Sequence, residues 1–107
     1  MAGLNAGTPS LVAWPDLVAG LNRVVAIEDE RAREGMRLLA EAGVVAGETG
    51  AAVLGGLLEL ADAGELGASR VLLFCTEGAT DPDAYERIVG KPPTARPAGS
   101  AARSPAR

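Results

Sequence analysis

The sequence predicts an α/β fold, a partial doubly wound parallel sheet, on three observations. Two short runs, residues 24–27 (VVAI) and 71–75 (VLLFC), are continuously apolar, as parallel strands covered on both faces are. Stretches with apolar residues three and four apart flank those runs, the spacing of one helical face. The resulting order is helix, strand, helix, helix, strand, helix, the alternation of an α/β sheet.

Residues 1–9 (MAGLNAGTP) read as a loop, because Gly3, Asn5 and Gly7 permit turns that other residues resist. Thr8 before Pro9 resembles an N-cap with proline at the first helical position. Leu11, Trp14, Val18 and Leu21 then mark a helical face, with Trp14 expected in the core. Pro15 removes an amide donor inside this stretch, so the helix should kink or restart there. The run 24–27 is the first strand. A helix over about residues 30–42 follows, with Ala32, Met36, Leu39 and Ala40 on one face and Gly43 as its stop. Residues 44–50 lead into an Ala/Leu/Gly helix ending near residue 63, with Thr49 a candidate N-cap. Gly55 and Gly56 lie inside it, each costing about 1 kcal/mol against alanine, so packing must hold it. The run 71–75 is the second strand, and Cys75 at its end reads as an inert core thiol. Thr80 or Asp81 caps a last helix that has Pro82 in its first turn and Gly90 as its stop.

Residues 91–107 are rich in Pro, Ala, Ser, Gly and Arg and cannot bury enough surface to fold, so they are predicted to be a disordered tail. The ordered domain is then residues 1–90. Two strands make a sheet that is marginal in water. Either the chain is one end of a larger sheet, or a partner chain completes the sheet by dimerisation.

Composition excludes several function classes. The chain has 107 residues and a net charge of −4, which argues against a nucleic-acid surface with its clustered cations. No apolar run is long enough to span a bilayer, so no membrane partner is expected. The start lacks the basic-then-apolar order of a signal peptide, and the single cysteine suits a reducing, cytoplasmic setting. The absence of histidine removes histidine-based metal sites and histidine acid–base catalysis.

Three motifs stand out: residues 2–10 (AGLNAGTPS), 45–52 (VAGETGAA) and 73–82 (LFCTEGATDP). In this order and separation they resemble the C-terminal part of the diaminopropionate ammonia-lyases, fold-type-II pyridoxal-phosphate enzymes similar to tryptophan synthase β. The resemblance covers about residues 1–90. It departs at Ala6, where the family usually has cysteine.

The resemblance implies a cofactor, pyridoxal 5′-phosphate, and five residues that would meet it. Thr76 follows the second apolar run, and ligands of open α/β sheets bind outside the carboxyl ends of strands. In the family, the matching hydroxyl hydrogen-bonds the pyridine nitrogen. A carboxylate there would keep that nitrogen protonated and the ring a strong electron sink. A hydroxyl leaves it nearer neutral and favours prompt loss of a β leaving group. Read without the family, the same hydroxyl would satisfy backbone groups at a strand end. Glu48 is implied to lie beside the ring, although the helix dipole alone also favours an acid in a first turn. Gly3, Leu4 and Asn5 are implied to run over or beside the ring, or else form an ordinary N-terminal turn.

The sole lysine, Lys91, lies in the predicted tail, so the family's covalent anchor has no counterpart. Its phosphate loop and proton donors also lie upstream. The chain is therefore expected neither to hold the cofactor tightly nor to catalyse anything alone, and Met1 reads as an internal methionine of a longer frame. Three functions compete. The first is part of an enzyme splitting 2,3-diaminopropionate, an amino-acid substrate, with a serine/threonine dehydratase-like parent as a close variant. The second is a non-enzymatic α/β module that homodimerises. The third is a subunit that complements an N-terminal, lysine-bearing part.

Overall fold

The computed structural model describes residue 5 and residues 7–94. Among them are four α-helices: α1 (Trp14–Gly20), α2 (Asp29–Glu41), α3 (Glu48–Asp62) and α4 (Pro82–Val89). Helix α2 packs against both α3 and α4, whereas α1 contacts none of the others.

Local chemistry explains each boundary. Helix α1 begins at Trp14, whose amide donates to the Ser10 carbonyl at 2.9 Å, with Pro15 in the first turn. The chain thus restarts at the proline, because Pro15 has no amide to lose at a helix start. Thr8 and Pro9 precede the helix and do not cap it. Helix α2 ends before Gly43, whose φ of 81° is left-handed. Helix α4 is framed as expected: the Asp81 carboxylate accepts from the Ala84 amide at 2.9 Å, and Gly90 closes the C-terminus at φ 81°.

The core is small. Met36, Ala40, Ala46, Ala51 and Tyr85 cluster, with Leu39, Val45, Ala79, Ile88 and Val89 packed around them. Only Met36, at 1% exposure, and Tyr85, at 2%, are large. Helices α2 and α3 approach closely because glycines lie where they meet. A Cβ at Gly35 would lie 2.7 Å from the Ala51 carbonyl oxygen, and one at Gly55 would lie 2.9 Å from that of Arg31. Arg31 also bridges the two helices. It pairs with Glu34 at 2.9 Å, Glu59 at 2.9 Å and Asp62, and these partners hold its guanidinium still more firmly protonated.

The expected doubly wound parallel sheet is not there. Both apolar runs lie in backbone without strand assignment, and no ladder joins either run to another segment among the described residues. A strand exists only by pairing with a neighbour, and the described residues supply none. The runs instead lie along the flank of α3. Ile27 reaches Gly55 and Cys75 reaches Gly50, while Val24, Leu72 and Phe74 face outward. Leu72 is 76% exposed and Phe74 73%. Trp14 is exposed, not core, as are Leu11, Val18 and Leu21, because nothing among the described residues covers the α1 face. Cys75 is an exposed thiol, not a buried one.

Adjacent glycines of α3 should respond oppositely to alanine. Gly56 faces open space, so Gly56→Ala should raise stability by about 0.5–1 kcal/mol. Gly55→Ala pushes into the Arg31 backbone and should cost about 1–3 kcal/mol. Urea titrations followed by circular dichroism would check this, and a shared sign would contradict the close approach of α2 and α3.

Candidate functional site

A cleft of about 430 Å³ opens where the N-terminus of α3 meets the 75–81 loop and the start of α4. Glu48, Glu77, Thr80, Asp81, Tyr85 and Arg87 line it. Three of these are acids, and their tasks differ. Asp81 caps α4. Glu77 is spent on the loop and on α3. Glu48, half-buried, has no hydrogen bond or ion pair among the described residues.

Helix α3 starts without a side-chain cap of its own, since Gly47 stands at the N-cap and Thr49 does not serve there. Its orphan amides find a donated cap instead. The Glu77 carboxylate accepts from the Thr49 amide at 3.2 Å and from the Thr80 hydroxyl at 2.5 Å. The Glu77 carbonyl accepts from the Gly47 amide at 3.2 Å and from the Cys75 thiol at 3.5 Å. A carboxylate at a helix N-terminus satisfies orphan donors and meets the positive end of the dipole. The Thr80 and Thr49 donors hold the Glu77 carboxyl below its ordinary value of 4.5.

The two chain segments touch because Gly47 and Gly50 have no side chains. A Cβ at Gly47 would run into the Gly78 carbonyl oxygen, and one at Gly50 into the Glu77 carbonyl oxygen. The loop therefore lies against the first turn of α3.

The candidate residues fall into place unevenly. Glu48 lines the cleft. Thr76 immediately precedes Glu77, is exposed, and its hydroxyl has no hydrogen-bond partner among the described residues. Asn5 is exposed and does not line the cleft. Gly3 and Leu4 lie outside the described residues, as does most of the expected tail, residues 95–107. Glu77 and Arg87 line the cleft without any local sequence signal of that position. The Glu77 contact with Thr49 spans 28 positions, which no local pattern signals.

The residues present do not by themselves fit a covalently held cofactor. No lysine lines the cleft, and Lys91 is exposed beyond the Gly90 end of α4. Among the described residues no helix is long and apolar enough to cross a membrane, and no cluster of acids or cysteine has metal-site geometry.

Comparison with known proteins names the class. The family described as pyridoxal-phosphate dependent enzyme matches residues 1–77, so the chain belongs to that family. Within it, the chain is similar to a diaminopropionate ammonia-lyase from Salmonella typhimurium (strain LT2), with 37% identity over 105 residues. The match takes in 83% of this chain and 26% of that enzyme, so the chain spans about a quarter of the length of the curated relative. No solved structure matches.

Proposed function

We propose that this chain forms the cofactor-ring side of a pyridoxal-phosphate-dependent ammonia-lyase that converts 2,3-diaminopropionate and water into pyruvate and two ammonia by α,β-elimination. The observation that supports the reading is the Thr76 hydroxyl, without a hydrogen-bond partner among the described residues and one residue from the Glu77 anchor, in the motif whose resemblance implies a ring-nitrogen partner. A hydroxyl spent on its own backbone would have supported a strand-end role. The cofactor supplies the electron sink that acidifies the substrate's α-carbon. Thr76 would set the state of the ring nitrogen, and Glu48, an unpaired carboxylate in the cleft, would lie beside the ring. Asn5 with Gly3 and Leu4 would complete that side. The attaching lysine and the phosphate site would come from a complementing part, so that the chain would be inactive alone and would work with that part in a reducing cytoplasm.

The test is a chimera in which this chain replaces the matching quarter of the Salmonella enzyme. It should hold cofactor and release pyruvate from 2,3-diaminopropionate, while the isolated chain should do neither. Thr76→Ala removes a hydrogen bond worth about 1 kcal/mol and should weaken cofactor retention roughly fivefold. Retention unchanged in that variant would remove Thr76 from the cofactor site. Pyruvate release from the isolated chain would overturn the dependence on a second part.

A further inference from the structure

We propose that Glu77 is the positioning residue of this site: its carboxylate clasps the Thr76 loop to the first turn of α3 and so fixes Thr76 relative to Glu48. The role in catalysis rests on the reading above, whereas the clasp itself rests on geometry. Three contacts from one residue converge on two segments. Its carboxylate takes the Thr49 amide at 3.2 Å and the Thr80 hydroxyl at 2.5 Å. Its carbonyl takes the Gly47 amide at 3.2 Å. The glycines at positions 47 and 50 let the loop backbone sit against the helix with no side chain between. Thr76 precedes Glu77 and Glu48 lies between Gly47 and Thr49, so each candidate cofactor residue is next to a clasped position. Neither the Thr76 nor the Glu48 side chain has a hydrogen bond or ion pair of its own among the described residues.

The surroundings favour the ionised carboxylate only through these donors. The other charged or titratable groups lining the cleft are Glu48 on α3, and Asp81, Tyr85 and Arg87 at α4. The Thr80 and Thr49 donors outweigh the opposing effect of burial, and the carboxyl titrates below its ordinary value. The extra hold that ionisation gives the clasp should therefore be complete above the unfolded-chain value of 4.5 and be lost as pH falls through the lower folded value, while the backbone contact to Gly47 persists.

The experiment is a proton–nitrogen NMR titration of the cofactor-free chain. The Thr49 and Thr76 amide signals should shift with one shared midpoint below 4.5. Glu77→Gln, whose amide oxygen can still accept from the Thr49 amide while its NH2 donates to the Thr80 hydroxyl oxygen, should retain the cross-peaks between residues 47–50 and 75–78 and abolish the shared titration. Glu77→Ala should lose those cross-peaks while the Met36 and Tyr85 signals stay in place. Thr76 signals that ignore the titration, or cross-peaks that survive in Glu77→Ala, would reduce Glu77 to an ordinary helix cap and overturn the proposal. If Glu77→Ala unfolds the helices, the wild-type titration decides alone. No cofactor enters this experiment, so its failure leaves the ring-nitrogen role of Thr76 standing. A chimera that ignores Thr76→Ala would overturn that role and leave the clasp intact.

Discussion

Met36→Ala should leave the chain without a cooperative unfolding transition. Met36 is 1% exposed and is one of two large side chains in a core otherwise made of alanines. It lies where α2 meets both α3 and α4, so the cavity would open at the junction of every packed helix. Truncating a buried methionine to alanine costs about 2–5 kcal/mol. A domain of this length is stabilised by roughly 0.05–0.15 kcal/mol per residue in the ordinary case. This one falls short of the ordinary case, because its apolar runs and the α1 face remain in water. Urea denaturation followed by helical circular dichroism would read the loss. Leu72→Ala, at a residue 76% exposed, should change stability by less than about 0.5 kcal/mol. A sigmoidal transition with an unmoved midpoint in Met36→Ala would mean that the core lies elsewhere.

The contrast between those residues also shows what the sequence could reveal. Helix α4 was legible because its signals sit within four residues of their partners: Asp81 bonds Ala84, and Gly90 takes the left-handed turn. Helix α2 was legible because Ala32, Met36 and Ala40 recur at helical spacing and are all buried. The runs at 24–27 and 71–75 were not legible as to their final state. Apolar continuity says that a segment suits burial on both faces, but the hydrogen bonds that define a strand belong to a neighbour. The same holds for α1. Leu11, Trp14, Val18 and Leu21 encode a face, and the described residues contain nothing that covers it. At the site, Thr76 and Glu48 came from motif resemblance, whereas Glu77 came only from the fold, since its anchor Thr49 is 28 positions away.

Gly50→Ala should release the 75–78 loop from α3, and the sign of the effect is itself diagnostic. In a helix, alanine normally gains about 1 kcal/mol over glycine. Here the new methyl would enter the space of the Glu77 carbonyl oxygen and lie 2.8 Å from the Cys75 sulfur. The carbonyl is backbone, and it is already held by the Gly47 amide at 3.2 Å, so it cannot swing aside as a side chain would. Overpacking of this kind costs about 1–3 kcal/mol, which outweighs the propensity gain. The strain relaxes most cheaply by moving the loop, because no ladder ties residues 71–76 to anything else among the described residues. Amide exchange at Gly47 and Thr49 should therefore quicken while the Ala84 amide, capped by Asp81 at 2.9 Å, keeps its protection. Gly78→Ala offers the control: it lies in the same loop, faces open space, and should change neither exchange nor stability beyond about 0.5 kcal/mol. If Gly50→Ala instead stabilises the chain, the loop is not seated on the helix, and the contact that brings Thr76 toward Glu48 is absent in solution.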